Sequence, residues 1–247
     1  IIKINPQLVV FIGFFIYAFS LGAMFPRLDD IQTSLAIDKA ELGLLLLCIP
    51  LGLQVTLVFA DRLVRAIPLK NIICIGIPSI CFMQFAAVAI NQISFFAFSL
   101  MVCGAFVAVV EVAINLEADR VEHALGSRIM NRSHAFWSIG FFSAAVVGAL
   151  FSQFKVMLEI HFLLICMISF VTSKIIFKDY VVASPRHANV TKIKKFSLPT
   201  GPIFVMVLFT MAAMLVEGAS IDWSVIFMRE VHYASPFLSG FSLATAA

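Results

Sequence analysis

Seven stretches of this chain, each near the length needed to cross a bilayer, contain no Asp, Glu, Lys or Arg: residues 7–26, 42–60, 71–90, 92–110, 133–154, 160–173 and 201–216. A hydrocarbon core is spanned by roughly 20 apolar residues of helix, or fewer where a terminal Lys or Arg reaches back to the headgroups. The sixth stretch extends to Phe177 if Lys174 snorkels in this way. An eighth apolar run follows at 237–247. Hydrophobic residues make up 62% of the chain and charged ones 13%, against about 45–50% and about 25% in soluble domains. A water-soluble core could not hide this much apolar surface. The expected fold is therefore all-α and polytopic, with seven complete transmembrane helices and a truncated eighth.

The first apolar segment has no small-residue cleavage pattern and more spans follow it, so it is expected to stay in the protein. The chain starts at Ile1 without a Met and stops inside an apolar run, which predicts a piece of a longer protein. Cys48, Cys74, Cys81, Cys103 and Cys166 stand singly in apolar windows, without the paired spacing of a metal site or a disulfide framework. They read as small packing residues, and no metal or cofactor is expected.

Hairpinned spans alternate in direction, so the loops fall into two sets. One holds thirteen of the Lys and Arg residues and the other holds four, namely Arg27, Lys39, Lys155 and Arg229. The positive-inside rule then puts the N-terminus in the cytoplasm of a cell with an inner membrane. The only linker-like stretch is 178–200, which is basic and broken by Pro185 and Pro199. It divides the chain into a six-helix unit (1–177), a cytoplasmic linker (178–200) and the start of a second unit (201–247). The linker is a solvated strand of charge, with anionic lipid as a possible partner. Duplicated halves joined on the cytoplasmic side are a common build of secondary transporters.

Four stretches carry a family likeness: Pro26-Arg27-Leu28; Asp61-Arg62-Leu63-Val64-Arg65; Glu111 to Asn115 with Glu122 and Met130 to His134; and Glu217-Gly218-Ala219-Ser220-Ile221-Asp222-Trp223-Ser224. With these the chain resembles the major facilitator superfamily, in particular bacterial permeases grouped near fucose permease. The resemblance implies a twelve-helix carrier whose two halves rock about a central site. It also implies that Asp61, Arg62 and Arg65 form a gating loop that latches the halves on the cytoplasmic side. The glycines usual around that loop are replaced by Leu57 and Val64, and the usual aspartate of span four is Glu111. Span five lacks the Gly-Pro pairing of the superfamily's drug–proton antiporters, which favours a symporter or uniporter.

The residues themselves suggest two polar sites. Glu111 ends the charge-free run of span four, and Asn115 lies one turn later on the same face. His134 enters span five from the same side. A carboxylate this close to lipid must face protein or a water-filled cavity, where it can load and release a proton. The alternative is a boundary carboxylate paired with Arg120, Arg128 or Arg132. Glu217, Asp222 and Trp223 form the second cluster, at the outward end of span seven, where an indole could stack on a solute and carboxylates could bind hydroxyls. Equally, Trp223 reads as a residue of the interfacial aromatic belt. In span five, Gly140, Ala144, Gly148 and Ser152 recur at intervals of four, a stripe of small residues against which another helix can pack closely.

The expected function is secondary active transport of a small hydrophilic, sugar-like solute, with protons as the expected coupling ion. The transporter would act as a monomer, surrounded by membrane lipid and without nucleic acid. A sensor that kept the transporter fold fits the same pattern. A seven-helix receptor is disfavoured by the cytoplasmic N-terminus and the eighth run. An enzyme is disfavoured because neither an H-E-x-x-H nor a G-x-S-x-G motif occurs.

Overall fold

The computed structural model describes residues 5–185 and 200–246. Lys3, Arg186, Asn189, Lys192, Lys194, Lys195 and most of the expected basic linker lie outside the described residues. Seven helical spans are long and apolar enough to cross a membrane: Pro6–Leu35, Lys39–Ala66, Leu69–Ile90, Ile93–Leu125, Met130–Gln153, Leu158–Phe177 and Gly201–Glu230. The side that holds Pro6 is called the near side below, and the opposite one the far side.

Span one is α1 (Pro6–Gly22), a 3-10 turn (Phe25–Arg27) and α2 (Leu28–Leu35). Asn5 caps α1 by accepting the Gln7 N–H at 3.0 Å, with Pro6 at the first helical position, where a missing N–H costs nothing. Ala36, in the left-handed region at φ 53°, ends α2. Span two is α3 (Lys39–Leu46) and α4 (Cys48–Ala66). It opens on a reciprocal capping box in which the Asp38 carboxylate accepts the Glu41 N–H and the Glu41 carboxylate accepts the Asp38 N–H.

The remaining elements are α5 (Leu69–Ile90), α6 (Ile93–Leu125), α7 (Met130–Gln153), α8 (Leu158–Phe177), α9 (Gly201–Glu230) and α10 (Pro236–Ala246). α6 has 33 residues, about 50 Å at 1.5 Å per residue. It therefore overshoots a hydrocarbon core of about 30 Å on the near side. Its charged last turns work there: the Glu122 carboxylate accepts the Ile129 and Met130 N–H groups at 2.7 and 3.0 Å and caps the start of α7.

Core contacts join α1 to α7, α4 to α6, and α5 to both α6 and α8. The small-residue stripe of α7 receives α1: a Cβ at Gly140 would lie 2.2 Å from the Phe15 carbonyl oxygen, so only glycine fits. α4 and α6 meet in the same way, Gly52 against the Met101 carbonyl and Gly104 against that of Ile49. Polar stitches cross the apolar core between α1, α5 and α8. Ser20 and Ser169 share a hydrogen bond of 2.7 Å, and the Gln84 amide donates to the Leu21 carbonyl at 3.3 Å. All five cysteines are free.

The largest departures from the sequence expectation are at two boundaries. The fourth charge-free stretch ends at 110, but its helix runs to Leu125, and the seventh ends at 216, but its helix runs to Glu230. Charged residues stop a hydrocarbon span without stopping a helix, because Glu, Arg and Asp can continue a backbone hydrogen-bond ladder with their side chains in water or protein.

Candidate functional site

Three helices build a polar and aromatic surface around the middle of the six-helix unit. On α6, the Asn115 side-chain amide donates to the Glu111 carbonyl at 2.9 Å and to its carboxylate at 3.0 Å, fixing the carboxylate one turn before it. Tyr17 of α1, itself buried, stands within interaction range of that carboxylate. Glu111 thus lies eighteen residues into a continuous helix, half-buried, and is not ion-paired with Arg120, Arg128 or Arg132 in any described contact. On α7, Phe136 stacks on Phe11 with ring centroids 4.7 Å apart, and Trp137 stacks on Phe141 at 5.5 Å. His134 is exposed and meets Phe14 edge-on at 5.3 Å, with no hydrogen bond to Glu111 among the described residues.

The second expected cluster is divided. Glu217 is exposed, whereas Asp222 and Trp223 line a far-side cavity of about 280 Å³ with Phe25, Leu46, Ile49 and Pro50. Glu217 and Asp222 are five positions apart, which turns them to different faces of α9. The Trp223 indole lies over Gly43, where an added Cβ would meet it at 3.4 Å, an ordinary contact distance. Trp223 thus joins α9 to α3.

Asp61, Arg62 and Arg65 sit on the last turns of α4, not in a loop. Asp61 and Arg65 form a two-pronged ion pair at 3.0 Å within that helix, and all three side chains are exposed.

The far side holds a network that the sequence reading did not assign. Arg27, counted there among the loop cations, is 3% exposed. Its guanidinium donates to the Asp30 carboxylate at 2.5 Å and to the Val156 carbonyl at 2.7 Å, and lies 3.4 Å from Nδ1 of the fully buried His161. The sixth span therefore carries a buried imidazole in its first turn. Next to this core, Asp29 pairs with Arg229 of α9 at 2.8 Å, and Lys39 pairs with Glu230. The available signal was Arg27 itself, a cation at the end where the positive-inside rule leaves few, facing a window that contains His161.

Glu117 was also missed. It is 1% exposed on α6, and one carboxylate oxygen accepts both the Tyr180 hydroxyl and the Ala183 N–H. The segment after α8 is thereby tied to the near-side end of α6. Burial, and then the bond to Glu117 and its charge, hold the Tyr180 phenol above its ordinary pKa, so it stays a neutral donor. Among the described residues, no group of three His, Cys, Asp or Glu side chains could hold a metal ion.

No protein-family model matches the chain. An uncharacterized MFS-type transporter of Yersinia pestis is 27% identical over 99% of this chain and 63% of its own length. An uncharacterized transporter of Sinorhizobium fredii is 26% identical over 92% of this chain and 60% of its own length. The chain thus spans less than two thirds of either relative. Among solved structures, a mutant of the nucleoside transporter NupG superposes with a TM-score of 0.72 at 15% identity, covering 98% of this chain and 63% of that one. The unmutated NupG superposes at 0.66 with 17% identity over 98% of this chain and 62% of that chain. The shared fold and the likeness along nearly the whole sequence together give this chain the fold of the major facilitator superfamily.

Proposed function

We propose that this chain forms the first six-helix half, and the start of the second half, of a secondary transporter that moves a small hydrophilic solute across the cytoplasmic membrane by alternating access, with the N-terminus in the cytoplasm. The observation that carries this reading is the polar and aromatic surface shared by α1, α6 and α7, where the half-buried Glu111 carboxylate is held by Asn115 within reach of Tyr17 and beside the stacked rings of Phe136 and Trp137. On the far side, α9 and α10 pack on the preceding helices through Trp223 on Gly43, Arg229 on Asp29, and Gly240 against Ala149 of α7.

In this reading Tyr17, Glu111, Asn115 and Trp137 face the solute path. The carboxylate and amide meet hydroxyl groups, and the aromatic rings meet a flat or apolar ring face. That chemistry suits a sugar-like solute, and the likeness to a nucleoside transporter extends it to nucleosides. Glu111 is the proton-coupling candidate, with His134 nearer the cytoplasm. Asp61, Arg62 and Arg65 would act as a cytoplasmic latch in the outward-facing state, their exposed side chains free to meet a partner helix end.

The test is uptake of radiolabelled sugars and nucleosides by the full-length protein in proteoliposomes, with and without an inward proton gradient. Saturable uptake of at least one of them supports the reading. Its absence for every solute in vesicles where the protein is shown to be folded and inserted would sink it.

A further inference from the structure

The lipid-facing surface carries a groove that the transport reading does not use. Where α5 packs along α8, a cavity of about 250 Å³ is lined by Cys74, Pro78, Phe82, Cys166 and Phe170, with Lys174 at its near-side end. Its walls are apolar because the polar groups turn inward: the Cys74 thiol donates to the Ser173 carbonyl and the Cys166 thiol to that of Pro78. The cations do the opposite. The Lys174 ammonium lies 5.6 Å from the centre of the Phe170 ring, folded over the groove. Lys70 stands one turn before Cys74 in α5, and Lys174 follows Ser173, whose carbonyl accepts the Cys74 thiol. Lys70 is held in place by donating to the Lys178 carbonyl at 2.7 Å.

A lysine that merely anchors a helix end stretches toward water and needs no partner. Here Lys174 lines the near-side end of one apolar trough, and Lys70 of the adjacent helix is held beside that end by its bond to the Lys178 carbonyl, four positions after Lys174. We propose that this groove binds an anionic phospholipid of the near-side leaflet, with its phosphate between Lys70 and Lys174 and one acyl chain lying along Cys166, Phe170 and Phe82. Charge complementarity selects the headgroup, and the trough orders the chain. The inference rests on the membrane assignment alone and is independent of transport.

The full-length protein is reconstituted in phosphatidylcholine vesicles that contain a trace of photoactivatable lipid, with the diazirine on the acyl chain and either a phosphatidylglycerol or a phosphatidylcholine headgroup. Crosslinks are then mapped by mass spectrometry. The phosphatidylglycerol probe is expected to label residues 74–82 and 166–174 on the order of tenfold more than the phosphatidylcholine probe. Unlabelled phosphatidylglycerol should displace it, and the K70Q/K174Q variant should abolish the preference. K155Q, on the far side, should keep it. Equal labelling by both probes, displacement by unlabelled phosphatidylcholine at the same dose, or a preference that survives K70Q/K174Q would each overturn the proposal and leave ordinary boundary lipid.

Discussion

Arg229, near the end of α9, pairs with Asp29 in the first turn of α2 at 2.8 Å, so a charge on the seventh span is neutralised by a charge on the first. Both partners are about one-fifth exposed, and an ion pair of this kind contributes about 1 kcal/mol or less. It is thus weak enough to break during a transport cycle. R229Q is expected to open the far side: a cysteine placed at Gly43, under Trp223, should react several-fold faster with a membrane-impermeant maleimide in R229Q than in wild type. The exchange D29R/R229D should restore slow labelling. Unchanged labelling in R229Q rules out a gating role for the pair.

Glu111→Gln keeps an oxygen for Asn115 but removes the ionisable group. Proton-driven accumulation of solute should fall by about tenfold or more, while solute exchange without a gradient persists. Accumulation that still responds fully to the imposed gradient in this variant excludes Glu111 as the coupling site.

Glu117→Ala leaves the Tyr180 hydroxyl and the Ala183 N–H without an acceptor in a buried place, at a cost of about 1–3 kcal/mol for each. The thermal midpoint of the detergent-solubilised protein should drop, and protease should cut the 178–185 segment sooner. Tyr180→Phe, which removes only one donor, is expected to lose less than Glu117→Ala. The reverse order would contradict the anchoring role of the carboxylate.

Gly140→Leu forces a side chain into the Phe15 backbone, where even a Cβ would sit at 2.2 Å. Since α1 cannot retreat without parting from α7, little folded protein should accumulate. The check is monodispersity on size-exclusion chromatography, compared with Ile139→Leu at the exposed neighbouring position, which should behave as wild type.

Legibility followed physical range. The spans were readable because the bilayer imposes a length and a polarity that each segment must satisfy alone. Gly140, Ala144 and Gly148 were readable as a close-packing stripe for the same local reason. The ends of α6 and α9 were not, since the last hydrophobic residue marks where lipid stops and not where the backbone ladder stops. The backbone of α6 continues for fourteen residues beyond Glu111, which the charge-free window alone did not signal. Arg27 and His161 are 134 positions apart, and nothing local to either says that they meet.

Sequence alone determined the medium this chain is made for, the number of its crossings and their alternation, because hydrocarbon tests each segment of about 20 residues by itself. Tertiary structure alone decided which polar groups are buried together: Arg27 with His161, Glu117 with Tyr180, Asp29 with Arg229. In a low-dielectric interior a polar group is stable only when its partner is within reach, and that partner is chosen by helix packing across long stretches of chain.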